Sequence, residues 1–202
     1  PYPTLFRSGV RRPLPGLGSI TARESSARSM YRAATFSAQY RSKSYQFGAN
    51  YTLSENFSDD DTERDATGFN YSDPQNFAGD YAYARIDSRH QFNSYFVVNL
   101  PLGIDVSAIF RYRSGLPVNA TTGADNNEEF GNNDRPYLAA GVPIERNSFR
   151  NRAVFWNDLR VLKSFKFGDV KRLQFSAEFF NLCNIDNVVF SGANGGLFRS
   201  EE

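Results

Sequence analysis

Asp87, Ser88 and His90 are the residues of this chain whose types come closest to hydrolytic chemistry. His90 is the single histidine of the sequence. A histidine beside a carboxylate and a hydroxyl can activate a nucleophile. Residues at i and i+2 share one face of a strand, whereas residues at i and i+3 do not, so Asp87 would reach His90 only if the strand begins late. The sequence therefore predicts a polar cluster where a long loop enters a strand. It predicts no catalytic residues and no enzyme.

A second candidate is a cation site in the segment 125–131. Oxygen-bearing side chains alternate there at Asp125, Asn127 and Glu129, as they do in a calcium-binding loop. The sixth position of such a loop needs glycine and the twelfth needs glutamate, and these positions hold Phe130 and Pro136. A solvated loop is thus favoured over a calcium site. No metal, cofactor or catalytic residues are predicted, and the ligand-binding residues stay open.

Composition narrows the class of protein. Charged residues make up 22% of the chain and the formal net charge is +1, so no nucleic-acid partner is predicted. Aromatic residues reach 15%, which suits strands and membrane-interface girdles. Mean hydropathy is −0.53, but a strand with one polar face can cross a membrane at low hydropathy. Cys183 is the single cysteine and is interpreted as inert, and the acidic run 59–61 is interpreted as loop solvation.

The elements that would position these residues are strands with two distinct faces. Tyr45, Phe47 and Tyr51 share one parity, while Gln46 and Asn50 share the other. A period of two indicates a strand with one apolar and one polar side. The same alternation recurs along the sequence. The predicted strands cover roughly 17–24, 30–41, 45–57, 89–100, 104–113, 153–167 and 172–179.

The connections between these strands alternate between short and long. Short turns follow Arg41, Leu100 and Phe167, while long polar loops cover about 58–88 and 114–152. In an antiparallel meander every short turn lies on one rim and every long loop on the other, which is typical of outer-membrane barrels. The fold class predicted is all-β. It is an antiparallel up-and-down transmembrane β-barrel wall of about seven strands from a larger barrel, with short periplasmic turns and long extracellular loops.

Several polar residues need an explanation in such a wall. Lys163 shares a parity with apolar neighbours, and at mid-membrane it would cost about 2–4 kcal/mol. We therefore expect it near an interface, where its stem can extend outward to water. Trp156 is predicted to belong to an interface girdle. A further set of charged residues is predicted to face the lumen, either as cross-strand ion pairs or as a lining that contacts a plug or ligand: Asp105, Arg111, Arg113, Asp158, Arg160, Arg172 and Glu178.

Six local stretches occur in an order that points to a family. They are Asp87-Ser88-Arg89-His90-Gln91-Phe92, Leu100-Pro101, Ser114-Gly115-Leu116-Pro117, Asn133-Asp134-Arg135-Pro136, Asp158-Leu159-Arg160-Val161 with Lys163 and Phe165, and Ala177-Glu178-Phe179-Phe180-Asn181-Leu182. Over about residues 31–187 the chain resembles the C-terminal barrel region of TonB-dependent outer-membrane receptors, in particular the Oar-like branch.

The resemblance implies a barrel of about 22 strands with a plugged lumen. It also implies uptake of a scarce ligand, driven by an inner-membrane energy-transducing partner of the TonB type. Residues 1–202 would then form a single partial barrel domain, with an irregular lead-in at 1–16, strands at 17–183 and a loop or incomplete strand at 184–202. The partners expected are outer-membrane lipid, a plug domain and the remaining barrel strands. The location expected is the outer membrane of a Gram-negative type of cell.

Two alternatives stay open from the sequence. One is a complete small outer-membrane barrel of about eight strands with a structural or adhesive role, which would need a further strand near 187–198. The other is a soluble β-sandwich binding module, in which the apolar faces would form a shared core. With no export leader in view before residue 17, we expect the chain to be an internal piece of a longer protein.

Overall fold

Six long antiparallel strands form one continuous sheet in the computed structural model, which describes residues 27–59, 77–124, 126, 134–139, 141–168, 170–190 and 197–199. Each strand pairs with the strands before and after it in the chain, so the sheet is an up-and-down meander. The strands are β1 (Ser29–Arg41), β2 (Tyr45–Ser58), β3 (His90–Leu100), β4 (Ile104–Arg113), β5 (Val154–Phe167) and β6 (Lys171–Phe179).

The pairing register keeps the two predicted faces separate across the whole sheet. One row of paired residues carries the apolar side chains, and the neighbouring row carries mainly polar ones. A slip of one residue in any pair would mix the two faces, so the register confirms the predicted alternation. The apolar row is Tyr40, Phe47, Phe96, Ala108, Leu159 and Phe179. The neighbouring row is Arg41, Gln46, Val97, Ser107, Arg160 and Glu178.

The apolar face is uncovered. Phe36 is 65% exposed, Phe175 58%, Phe47 43% and Phe96 40%. In the described part of the chain the buried hydrophobic residues are three small side chains at the long-loop end, namely Ala82, Ala84 and Val154. Large apolar side chains on a single-layer wall face lipid. The soluble sandwich is therefore excluded, because its apolar faces would have to be sealed together.

The loops are sorted between the two rims as predicted. Turns at 42–44, Pro101–Gly103 and 168–170 lie at one rim, and the connections 59–89 and 114–153 leave from the other. In the first turn the backbone N–H of Ser42 donates to the Tyr45 carbonyl at 2.7 Å. In the second, Leu102 and Gly103 both have positive φ, 67° and 71°. This asymmetry matches short periplasmic turns and long extracellular loops.

The long connections contain more regular structure than the sequence predicts. In the first, a 3₁₀ turn at Phe77–Asp80 precedes the short strand Ala82–Tyr83, which pairs with the end of β2. The other short strands pair locally, two pairs in the second connection and one pair after β6: Pro117–Val118 with Phe149–Arg150, Tyr137–Ala139 with Val142–Pro143, and Val188–Phe190 with Leu197–Arg199. The strand predicted at 17–24 lies outside the described residues. Among the described residues, no helix is long and apolar enough to cross a membrane.

Lys163 lies at the short-turn end of the lipid-facing side, as predicted. Its Cα partners are Ile104, the first residue of β4, and Phe175 on β6, and a single apolar pair, Phe165 with Leu173, lies between it and the Phe167–Lys171 pair at the turn. The ammonium group donates a hydrogen bond to the Leu102 carbonyl in the neighbouring turn, and it lies 5.0 Å from the centre of the Phe165 ring. The side chain therefore reaches the membrane interface and places no charge in the hydrocarbon.

Trp156 is not on the lipid-facing side, and its assignment to an interface girdle is wrong. It pairs with Arg111 in a row of polar parity, and the Arg113 guanidinium lies 5.9 Å from the centre of its ring. Tryptophan is typical of interface girdles as a residue type, but the position of Trp156 in the alternation gives the lumenal face.

Exchanging neighbouring residues for arginine tests which face meets lipid. Phe96→Arg would place a charge near the middle of the lipid-facing side, and we expect it to lower the free energy of unfolding by about 2–4 kcal/mol. Val97→Arg places the same charge on the lumenal face, and we expect a change within about 0.5 kcal/mol. Urea unfolding of the full-length protein in lipid vesicles measures both. Equal losses for the two variants would contradict the assignment of the faces.

Candidate functional site

The buried side chains of this wall are mostly polar and lie at the long-loop rim. Six residues from the two long connections form the contacts that matter most here, and we call them the loop clasp. The loop clasp consists of Asp80, Asp87, Arg135, Arg146, Asn147 and Arg150, all but Arg150 being buried. Buried polar groups must be hydrogen-bonded to be tolerated. The partners of these side chains therefore show what holds the loops in place.

Asp87 is the centre of the loop clasp. Its side chain is fully buried, and its two oxygens accept from different segments of the chain. One oxygen accepts from the backbone N–H of Asn56 near the end of β2 at 2.7 Å, and the other accepts from Nη2 of Arg150 at 2.6 Å. Arg150 also donates to the Gly115 carbonyl at 3.2 Å and lies 4.8 Å from the centre of the Tyr83 ring. One carboxylate thus joins the wall, the first loop and the second loop.

Arg135 and Arg146 reach from the second loop to the first. The Arg135 guanidinium forms an ion pair with Asp80 at 3.0 Å and donates to the Gly79 carbonyl at 3.2 Å. Arg146 donates through Nε to the Asp80 carbonyl at 2.8 Å, and through Nη2 to the carbonyl of Ser58 at the end of β2. Burial lowers the pKa of Arg135 and Asp80 opposes that effect, but an arginine remains charged at neutral pH.

Asn147 completes the contact between the loops. Its side-chain amide donates to the Tyr83 carbonyl at 2.7 Å, and its backbone has a positive φ of 57°. Asparagine is among the few residues that tolerate this conformation. Because Asn147 follows Arg146, the second loop places two side chains side by side on the first loop. The described parts of the two long loops are therefore held together, and to the wall, as one body.

A family model for an outer membrane beta barrel domain matches residues 2–145, which is more than half of the chain. The chain belongs to this family. No curated protein and no solved structure matches it. Membership places this outer membrane β-barrel domain in the outer membrane, in agreement with its uncovered apolar face.

In the barrel domain, the residues considered for hydrolysis do not bind one another. Nδ1 of His90 lies 2.8 Å from the hydroxyl of Tyr51, and the two rings are stacked. Asp87 binds Arg150, and the Ser88 hydroxyl, which would be the nucleophile, is buried with no hydrogen-bond partner in the described part of the chain. The structure therefore does not bring Asp87, Ser88 and His90 together as a hydrolytic group.

Two segments of the barrel domain were considered as cation sites, and the structure describes only part of them. The proposed calcium ligands Asp125, Asn127 and Glu129 lie outside the described residues. Of the acidic run, Asp59 is buried and accepts from the backbone N–H of Arg28 at 2.7 Å and from its guanidinium at 3.4 Å. Asp59 is thus a structural partner, not the solvated loop residue that was predicted. Across the described ranges, no group of three or more His, Cys, Asp or Glu side chains is placed to hold a metal.

The lumenal charges form few ion pairs in the barrel domain. Arg160 and Glu178 pair across β5 and β6 at 3.3 Å, with both side chains about half exposed. The other contacts are hydrogen bonds to neutral groups: Asn99 to Asp105 at 2.7 Å, Arg172 to Ser164 at 3.0 Å, and the Asn181 backbone to Asp158 at 3.0 Å. Within the described sheet the predicted ladder of ion pairs is therefore sparse.

An asparagine-rich segment after β6 was missed by sequence reasoning. Asn187 accepts from the Phe155 backbone N–H at 2.9 Å and donates to the Phe155 carbonyl at 2.7 Å, as a paired strand residue would. Asn157 accepts from the backbone N–H of Cys183 at 2.7 Å. This explains why Asn157 interrupts the apolar parity of β5. The signal in the sequence is the spacing of asparagines at 181, 184 and 187, the first two of which have positive φ.

Replacing Asn187 by alanine tests this edge of the wall. The variant leaves the N–H and the carbonyl of Phe155 without their partner, and we expect local opening to become easier by about 1–3 kcal/mol. Amide hydrogen exchange at Phe155 should accelerate by about tenfold or more. Asn93→Ala, on the exposed lumenal face, is the matched control and should leave the exchange rate unchanged. An unchanged rate in Asn187→Ala would show that water replaces the amide without cost.

Proposed function

We propose that this outer membrane β-barrel domain forms part of the wall of a TonB-dependent transporter of the Oar-like branch, and that its long loops contact the transported ligand. The observation that carries the proposal is the loop clasp. A receptor needs surface loops held in a defined position by a rigid scaffold. Asp87 and Arg150 supply such a hold, because they tie both long loops to the end of β2.

The stretches that resemble the Oar-like branch support this proposal by their positions. Asp87 and Arg135 belong to two of these stretches, and both are in the loop clasp. Gly115 belongs to a third, and the backbone of Asn151 approaches it so closely that a Cβ at this position would lie 1.7 Å from the Asn151 carbonyl oxygen. The stretches that resemble the Oar-like branch therefore include residues that position the loops.

The lumenal face supports contact with a plug domain. On the row formed by Ser37, Asn50, Asn93 and Arg111, the side chains are polar and at least partly exposed. Arg111 makes no hydrogen bond or ion pair with the described residues, so its donors are available to another part of the protein. The proposal thus names four partners: a plug domain, further barrel strands, outer-membrane lipid and an inner-membrane TonB-type protein. The proposal includes no catalytic step, because Asp87 is paired with Arg150 and His90 with the hydroxyl of Tyr51.

Uptake by intact cells tests the proposal. The complete gene that encodes this chain is deleted, and uptake of an iron chelate, an oligosaccharide and a peptide is compared with that of the parent strain. We expect the deletion strain to take up one of these ligands no longer. Deletion of the TonB-type partner should give the same loss. Restoring the gene should restore uptake only while the partner is present.

Two outcomes would contradict the transporter. One is loss of uptake that is independent of the inner-membrane partner. The other is unchanged uptake of every ligand combined with changed adhesion of the cells, which would instead support a self-contained barrel with an adhesive role.

A further inference from the structure

A charged row borders the apolar face at the long-loop rim. Arg32 on β1 and Glu55 on β2 are Cα partners, and both have the parity of the lipid-facing side chains. The next residue of that parity toward the turns on β2 is Leu53, which is 38% exposed. Arg89, just before β3, donates to Glu55 at 2.5 Å. Two guanidinium groups therefore flank one carboxylate on the outer side of the wall.

The two arginines differ in how they are neutralised. Arg89 is paired with Glu55, and the hydrogen bond that it donates to the Glu55 carboxylate raises the pKa of Arg89. Arg32 is exposed and makes no hydrogen bond or ion pair with any described residue. The row therefore carries an excess positive charge that the described part of the wall does not compensate. A counter-charge from outside the chain would stabilise it.

The height of this row on the wall identifies the source of that counter-charge. Glu55 lies ten residues along β2 from Tyr45, the first residue of that strand at the short-turn rim. With the usual strand rise and tilt this is a height of about 25 Å, which is the height of the apolar band of an outer-membrane barrel. Beside it, Phe57 stacks on Tyr83 with ring centres 4.5 Å apart and on Tyr81 at 6.1 Å. Aromatic rings of this kind mark the membrane–water interface. The row thus lies at the level of the lipid headgroups in the leaflet on the long-loop side.

We propose that Arg32, with Arg89 beside it, binds the phosphate of a phosphorylated lipid headgroup in the outer leaflet of the membrane. The planar guanidinium of arginine matches a phosphate with two parallel hydrogen bonds. Glu55 orients Arg89 and keeps the site from carrying two uncompensated charges. The proposal depends on the outer-membrane location of the domain and not on the transporter function.

Lipid binding by the full-length protein tests this site. The protein is purified from the outer membrane, placed in nanodiscs of neutral lipid and titrated with a diphosphorylated glycolipid of the lipid A type or with its dephosphorylated form. Bound lipid is counted by native mass spectrometry. We expect the phosphorylated form to bind in preference, and Arg32→Gln to weaken that binding by about tenfold, the loss of one charge-assisted hydrogen-bonded contact. Arg32→Lys keeps the charge without the planar pair of donors, so its loss should be smaller.

Arg41→Gln is the matched control, because Arg41 is an exposed arginine of the same strand on the lumenal face at the opposite rim. It should bind the phosphorylated lipid as the unchanged protein does. Heat-modifiable migration on gels shows that each variant is folded. Equal binding by Arg32→Gln and Arg41→Gln, or equal binding of the two lipid forms, overturns the proposal. Complete displacement of the lipid by inorganic phosphate overturns it as well, because the site would then bind the free anion.

Discussion

Replacing Asp87 by alanine should lower the free energy of unfolding by about 3 kcal/mol and release both long loops from the wall. The variant removes a fully buried carboxylate and leaves two groups without their partner: the backbone N–H of Asn56 and the guanidinium of Arg150. The Asn56 N–H would lose its acceptor at a site that is closed to water, since the Asp87 side chain is fully buried. The second keeps some access to water, since the Arg150 side chain is 32% exposed, which limits the loss.

Urea unfolding of the full-length protein in vesicles measures the loss for Asp87→Ala, and limited proteolysis reports the release of the loops. Asp87→Asn retains an acceptor for the Asn56 N–H but not the charge, so its effect should be about half as large. Asp105→Ala is the matched control, because Asp105 accepts a single exposed hydrogen bond from Asn99. If Asp87→Ala loses no more than Asp105→Ala, the loop clasp does not hold the loops.

The second large effect is expected at Gly115. A Cβ added there would lie 1.7 Å from the carbonyl oxygen of Asn151 and 3.0 Å from that of Arg152. Both are backbone atoms, so Gly115→Ala requires the base of the second loop to separate, not merely a side chain to rotate. We expect a loss of about 3 kcal/mol or more in the free energy of unfolding.

Gly79→Ala provides the comparison for Gly115→Ala, because nothing lies within 4 Å of a Cβ built at Gly79. It should be nearly neutral. Assembly of the folded barrel in the outer membrane and protease resistance of the second loop distinguish the two variants. A Gly115→Ala protein as stable as Gly79→Ala would mean that the backbone at Asn151 moves away at little cost.

The wall could be predicted from the sequence because its signal is local. Alternation at a period of two gives each strand its two faces, and short turns place neighbouring strands in antiparallel pairs. Lys163 illustrates how far this extends, since its parity together with the cost of a buried charge predicted its position at the interface. Trp156 shows that parity outweighs residue type, because its parity gives the lumenal face although tryptophan is typical of interface girdles.

The loop clasp could not be predicted, because its contacts join residues distant in sequence. Asp87 and Arg150 are 63 positions apart, and Arg146 and Ser58 are 88 apart. No periodicity connects such pairs, and loops of this length have many possible paths. Asn187 was missed for a related reason. Its side-chain amide takes the place of the backbone of a neighbouring strand beside Phe155. The alternation of a sequence indicates only which backbones pair, so it does not reveal such a side chain.

The loop clasp also couples the two long loops mechanically. Asp80 and Asp87 of the first loop form ion pairs with Arg135 and Arg150 of the second. A displacement of one loop at these residues must therefore carry the other loop with it or break ion pairs whose carboxylates are buried. A force applied to one loop is thus transmitted to the other and to the end of β2, so the two loops respond to it as one unit.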